Sequence, residues 1–215
     1  MQAPKIKVCG LANKSQIHEL IQMEIDFLGF IFYPKSPRYV LNQLTLQEIS
    51  AINFPTKVGV FVNEELEKLI QIATKAGLSW VQLHGDEDLE YIQKLKENAS
   101  FLRIIKVFRI SEDPQDLAQK IKRVEDEVDY FLFDTDSKAF GGTGKTFDWH
   151  ILNHLELKKP FFLSGGISLE NMKNLSQVSQ PIFALDINSK FENRPGDKNL
   201  KLIQDFKNNI KNIFK

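Results

Sequence analysis

The chain has little cysteine: Cys9 is the single one in 215 residues. An internal disulfide is excluded, and so is a cysteine cage for a metal. Four histidines are present, but no His and carboxylate stand at metal-ligand spacing, so no metal site is expected. There is no excess of charge, with 28 Lys and Arg against 28 Asp and Glu. That balance argues against a nucleic-acid partner. No apolar run is long enough to span a membrane, and none is expected to bind one. The opening stretch, MQAPKIKVCG, lacks the charged start and apolar run of a signal peptide. A reducing, cytoplasmic location is the simplest expectation. No Pro-, Gly- or Ser-rich linker divides the chain, so residues 1–215 read as one domain.

What is present is a rhythm. Short runs rich in Val, Ile and Phe recur eight times, beginning at Lys5, Asp26, Lys57, Trp80, Leu102, Asp129, Pro160 and Pro181. Stretches of helical periodicity lie between them, at Ser15–Met23, Thr45–Ile52, Glu64–Ala76, Leu89–Asn98, Pro114–Glu125, Trp149–Leu155, Ser168–Gln177 and Asn199–Ile213. Start signals support three of these: Asn63 before Glu64, Asp113 before Pro114, and Ser168 followed by Glu170. Eight strand–helix units in a chain of this length predict an α/β protein, a (β/α)8 TIM barrel. An open doubly wound sheet would need an unusually wide array of parallel strands.

In such a barrel the chemistry lies at the C-terminal ends of the strands. Cys9 ends the first run, Asp134 the sixth, and Asp186 nearly ends the eighth. Strand alternation puts Lys7 with Cys9, Leu132 with Asp134, and Ala184 with Asp186. A lone cysteine is ordinarily a small buried hydrophobe, and an aspartate after a strand is ordinarily a cap. At the ends of different strands the two become an acid–base pair. A cationic neighbour would lower the thiol pKa, and shielding from water would raise that of the carboxyl. SGGIS (164–168) opens a strand into Gly165-Gly166, a turn whose backbone can approach an anion. Arg38, in SPRYV, offers a planar fork for a carboxylate or phosphate. His84, in QLHGDE, is a proton carrier or a satisfied loop histidine.

The stretch AFGGTGKT imitates a nucleotide-binding loop, but Ala139 occupies the place of its first glycine. It follows the sixth strand rather than the first, and FDW replaces the usual long helix. The expected role of Gly141, Gly142 and Gly144 is a flexible loop that closes over a small-molecule substrate while Asp134 works.

Taken in order, KVCG, GFIFYPKSPRYV, VGVFVNE, VQLHGDE, FDT with GGTGKTFDW, LSGGIS with EN (170–171), and LDI with Ser189, FE (191–192), PG (195–196) and Lys198 resemble phosphoribosylanthranilate isomerase, an enzyme family of tryptophan biosynthesis. The motifs run from Lys7 to Lys198. The resemblance implies a cofactor-free Amadori rearrangement of N-(5-phosphoribosyl)anthranilate to 1-(2-carboxyphenylamino)-1-deoxyribulose 5-phosphate. It casts Asp134 as general acid and Cys9 as general base, with Arg38 on the anthranilate carboxylate. His84, Gly142, Gly165, Gly166, Asp186 and Ser189 become substrate-binding, with Gly166 and Ser189 in the phosphate cup. The family implies a monomer or homodimer. One departure stands out: Lys190 occupies a position where the family carries glycine. Two other readings share these residues, an isomerase of a related sugar phosphate and a non-catalytic phosphate-binding barrel.

Overall fold

The eight apolar runs become eight parallel strands that close on themselves in the computed structural model, which describes residues 3–110, 114–135 and 148–214. The strands are β1 (Lys5–Val8), β2 (Phe27–Ile31), β3 (Lys57–Phe61), β4 (Trp80–Leu83), β5 (Arg103–Ile110), β6 (Tyr130–Thr135), β7 (Phe161–Leu163) and β8 (Ala184–Ile187). Each pairs with its sequence neighbours, and β8 returns to β1 with Lys7 opposite Asp186. Closure leaves no open sheet edge in the barrel.

Alternation along the strands divides two cores. Phe27, Val58, Trp80, Ile105, Val107, Leu132, Phe162 and Ala184 point inward and fill the barrel axis. The residues between them point outward and pack beneath the helices, as Val8, Leu28, Val81, Phe131 and Leu185 do. At roughly 25 cal/mol per Å² of apolar surface removed from water, these two layers are the main drive to fold. The helices are α1 (Lys14–Gln22), α2 (Leu46–Ser50), α3 (Leu66–Ala76), α4 (Leu89–Asn98), α5 (Pro114–Val124) and α6 (Leu200–Ile213). Their ends follow local chemistry. Thr45 and Glu48 form a capping box on α2, Asp88 caps α4, and Asn199 caps α6.

Three local expectations change. Asn63 does not cap α3, which begins at Leu66 without a side-chain cap. Its backbone is left-handed at φ 49°, and its side-chain oxygen accepts from the Asp86 N–H at 2.7 Å. It is spent on the loop after β4. The sixth and seventh helices are 3-10 segments, Trp149–His154 and Met172–Gln177. Before the latter, the Ser168 N–H donates to Asn171 and the Ser168 hydroxyl to Glu170, while the Asn171 amide donates back to the Gly166 carbonyl. Such side-chain bonds compete with helical ones and delay the helix. The Asp113 signal lies outside the described residues. After β8 the polar stretch is ordered as a hairpin of β9 (Glu192–Arg194) and β10 (Asp197–Lys198), turning at Gly196 with φ 82°.

Candidate active site

The C-terminal mouth of the barrel opens into a cavity of about 700 Å³ including its entrance. Cys9, His84, Asp134, Gly165, Gly166, Asp186 and Ser189 all line it. Seven of the nine residues singled out in the sequence are thus brought together from five strand ends. Gly142 lies outside the described residues. Arg38 stands behind the wall: Gly10 lies beside both its side chain and that of cavity-lining Asn188.

Cys9 follows β1 and is buried, 5% exposed. Its room is made by Gly29 on β2, where a Cβ would lie 2.9 Å from the Cys9 Sγ. Asp134 is the penultimate residue of β6, and its Oδ1 accepts from the Thr135 N–H at 2.8 Å. Burial is the main cause that lifts its carboxyl from the usual 3.8 to about 6, and Asp186 adds to it. The shift suits a carboxyl that must give up a proton near neutrality. The thiol behaves otherwise than the sequence suggests. Burial pushes Cys9 above its ordinary value, and the opposing pull of Lys7 and Lys198 does not compensate.

Beneath Cys9 is a buried cation that sequence reading placed only by its face. Lys7 is 0% exposed and ion-paired to Asp186 at 2.7 Å. Burial disfavours its charge, but Asp186 and Cys9 outweigh that and hold Lys7 protonated. Gln82, inward-facing between Trp80 and His84, was missed. Its signal is a polar residue at an interior strand position, one layer below the barrel mouth. Asp186 Oδ1 is buried without a hydrogen-bond partner among the described residues, so one acceptor of this cavity-lining residue is left unsatisfied.

The second polar cluster explains Arg38. Its Nε and Nη2 donate to the Glu192 carboxylate at 2.7–3.0 Å. Lys198, 1% exposed, donates to the same carboxylate at 2.6 Å and to Asn188 at 2.8 Å. Arg38 is therefore held by the hairpin after β8, with Nη1 outside this fork. Glu192 stood in the motif after the eighth strand, but its task of holding Arg38 was the second feature missed, and the Pro195-Gly196 turn marks the hairpin that delivers it.

One end of the cavity is built from the loop after β7. Gly165 and Gly166 adopt φ 87° and 66°. A Cβ on Gly165 would lie 2.3 Å from the Thr135 hydroxyl and 3.2 Å from Asp134 Oδ1, so glycine here also keeps room beside the Asp134 carboxyl. Ser189 and Lys190 line the cavity after the neighbouring strand β8, within a 3-10 turn, Ser189–Phe191. Lys190 is exposed. Glu24 and Asn63 are the non-glycine residues at positive φ among those described, so Lys190 sits in its place without backbone strain. Among the described residues, no group of three His, Cys, Asp or Glu could hold a metal ion. No helix among them is long and apolar enough to cross a membrane.

A closed (β/α)8 barrel with a thiol and a shielded carboxyl around one mouth cavity has the architecture of a barrel enzyme, with two groups capable of acid–base chemistry at the strand ends. The family model described as N-(5'phosphoribosyl)anthranilate (PRA) isomerase matches residues 6–209, and the chain belongs to that family. An N-(5'-phosphoribosyl)anthranilate isomerase of Parabacteroides distasonis is 40% identical over 94% of this chain and 90% of its own. The crystal structure of the Thermotoga maritima phosphoribosyl anthranilate isomerase superposes with a TM-score of 0.81 at 33% identity, covering 97% and 99% of the two chains. A phosphoribosyl anthranilate isomerase solved with reduced 1-(o-carboxyphenylamino)-1-deoxyribulose 5-phosphate gives 0.78 at 31%, with the same coverage.

Proposed function

We propose that this barrel converts N-(5'-phosphoribosyl)anthranilate to 1-(2-carboxyphenylamino)-1-deoxyribulose 5-phosphate, with Asp134 as acid and Cys9 as base. The observation that carries the assignment is the placement of both groups on one cavity with the Gly165-Gly166 turn at its rim. The protonated Asp134 gives its proton to the ribose ring oxygen. The C1–O bond breaks, and the nitrogen lone pair forms a C1=N Schiff base. The Cys9 thiolate then takes the proton from C2, and those electrons form the C1=C2 bond of an enolamine. Protonation at C1 and loss of the C2 hydroxyl proton yield the ketone. Reactant and product are isomers, so atoms and electrons balance. Asp186 Oδ1 offers an acceptor to a sugar hydroxyl. His84 lines the same wall.

For the aryl end, Arg38 Nη1 reaches the anthranilate carboxylate past Gly10, and Glu192 holds the guanidinium in line. Gly166, Ser189 and Lys190 receive the phosphate. A reducing cytoplasm suits the free Cys9 thiol.

The direct test follows the fluorescence of freshly formed N-(5'-phosphoribosyl)anthranilate in the presence of a metal chelator. Rapid decay with the purified protein is expected. No decay with a folded protein would overturn the assignment. Turnover of another sugar phosphate, or binding without turnover, would then point to the other readings of the site.

The lysine at the family's glycine position carries its own expectation. Lys190→Gly removes an exposed ammonium from the anion rim. KM is expected to rise about 3- to 5-fold, the size of an exposed charge contact of up to 1 kcal/mol, with kcat within about twofold. Inorganic phosphate should lose potency as a competitive inhibitor to the same extent. An unchanged KM would show that the lysine points away.

A further inference from the structure

A polar thread crosses the floor of the cavity, whose lining includes Gln82, His84, Asp134 and Asp186. Lys7 Nζ donates to Asp186 Oδ2 at 2.7 Å and to Gln82 Oε1 at 2.8 Å. Gln82 Nε2 lies 3.0 Å from His84 Nδ1. His84 Nε2 in turn lies 3.5 Å from Asp134 Oδ2. The thread links the strand that carries the base to the strand that carries the acid.

Its polarity follows from donor and acceptor capacity alone. An ammonium has donors and no lone pair, so the Gln82 atom facing Lys7 must be the oxygen. The other end of that amide is then NH₂, which only donates. His84 Nδ1 must therefore accept, and in a neutral imidazole the proton must sit on Nε2. The N–H so placed faces Asp134. Neutrality is the expected state, because burial, assisted by Lys7, Arg109 and Lys106, pushes the imidazole down to about 3.

From this we infer that Gln82 is a positioning residue: held by Lys7, it locks His84 as the Nε2–H tautomer so that a donor faces the Asp134 carboxyl. The inference rests on Asp134 being the acid of the proposed reaction. When Asp134 gives its proton to the ring oxygen, charge develops on its carboxylate. The His84 N–H is then aimed at Oδ2, and the long free-state separation shortens once substrate closes the site. In the other tautomer a nitrogen lone pair would face the forming charge and oppose ring opening. Lys7 thus acts on both partners, lying under the Cys9 thiol and setting the direction of the thread.

Gln82→Glu tests this with little change of shape. A carboxylate offers no donor, so it can accept from Lys7 and from His84 at once. The imidazole is then expected to move its proton to Nδ1. With ¹⁵N-histidine labelling and assignment by His84→Asn, the wild type without substrate should show a pyridine-type Nδ1 and a pyrrole-type Nε2. Gln82→Glu should exchange the two signals. Its kcat is expected to fall on the order of 10- to 100-fold, less than removal of a direct oxyanion donor can cause, with KM within about twofold. Gln82→Met, which frees the ring from either bond, should show a mixture of tautomers and an intermediate kcat, and it serves if Gln82→Glu does not fold.

A wild-type Nδ1–H tautomer would overturn the inference even in a fully active enzyme. So would a Gln82→Glu protein whose signals exchange while kcat stays unchanged. Because the tautomer is read without substrate, failure of the proposed reaction in the wild type would be seen separately.

Discussion

Asp134→Asn is expected to abolish turnover and raise the melting temperature of the same protein. The activity loss follows from the role. An amide has no proton to deliver to the ring oxygen, and the rate should drop on the order of 10²- to 10⁴-fold. The stability gain follows from the carboxyl pKa, raised by burial to about 6 from 3.8. Below pH 3.8 the folded and unfolded chains both carry the proton, and the charge has no effect. Between there and pH 6 the unfolded chain ionises first, and above pH 6 the native state must hold a poorly hydrated charge. The shift corresponds to ~3 kcal/mol of stability lost as pH rises through that window. Asparagine keeps the shape without the charge. At pH 8 the variant should melt several degrees higher, and near pH 3.5 the two proteins should melt together. Equal melting at pH 8 would show that the charge is well accommodated. More than about a tenth of wild-type turnover would remove Asp134 from the acid role.

Cys9→Ala is expected to bind substrate and fail to convert it. The residue makes its contribution at C2, after binding, so kcat should fall on the order of 10²- to 10⁴-fold while KM moves by about twofold or less. Cys9→Ser should be nearly as slow, since a hydroxyl is far harder to deprotonate than a thiol. The environment adds a second readout. Burial holds the thiol above its ordinary value despite Lys7 and Lys198. Alkylation by iodoacetamide should therefore be slow at neutral pH and accelerate at and beyond pH 9. Fast alkylation at pH 7 would show that the cations prevail in solution, and near-normal turnover of Cys9→Ala would exclude the thiol as base.

Much of this site is legible along single strands. The interior face of a strand is a matter of parity, so Cys9, Asp134 and Asp186 could be sent to one mouth from the runs that carry them. Gly165-Gly166 is likewise local, because positive φ and close approach call for glycine wherever they occur. Lys7 was visible as a companion of Cys9 on the same face, but its task was not. Arg38 was visible as a planar fork, yet its partner Glu192 sits 154 residues later on the hairpin after β8. The 3-10 segments show the opposite failure. Their periodicity resembles a helix, and side-chain bonds to the backbone at Ser168 and Asn171 displace its first turn.

By itself the sequence determined the eight-unit barrel, the strand ends that send Cys9 and Asp134 to one mouth, and the ordered motifs of one isomerase family. Those properties reside in alternation, turn residues and spacing, and each can be judged within a few neighbouring positions. Tertiary structure alone decided the charge relations. Lys7 meets Gln82 across 75 residues and Asp186 across 179. These contacts exist because β8 closes on β1 and turns their inner faces toward one axis. Inside that closed, poorly hydrated space, which group keeps a proton depends on which charges end up adjacent, and adjacency there is a product of closure.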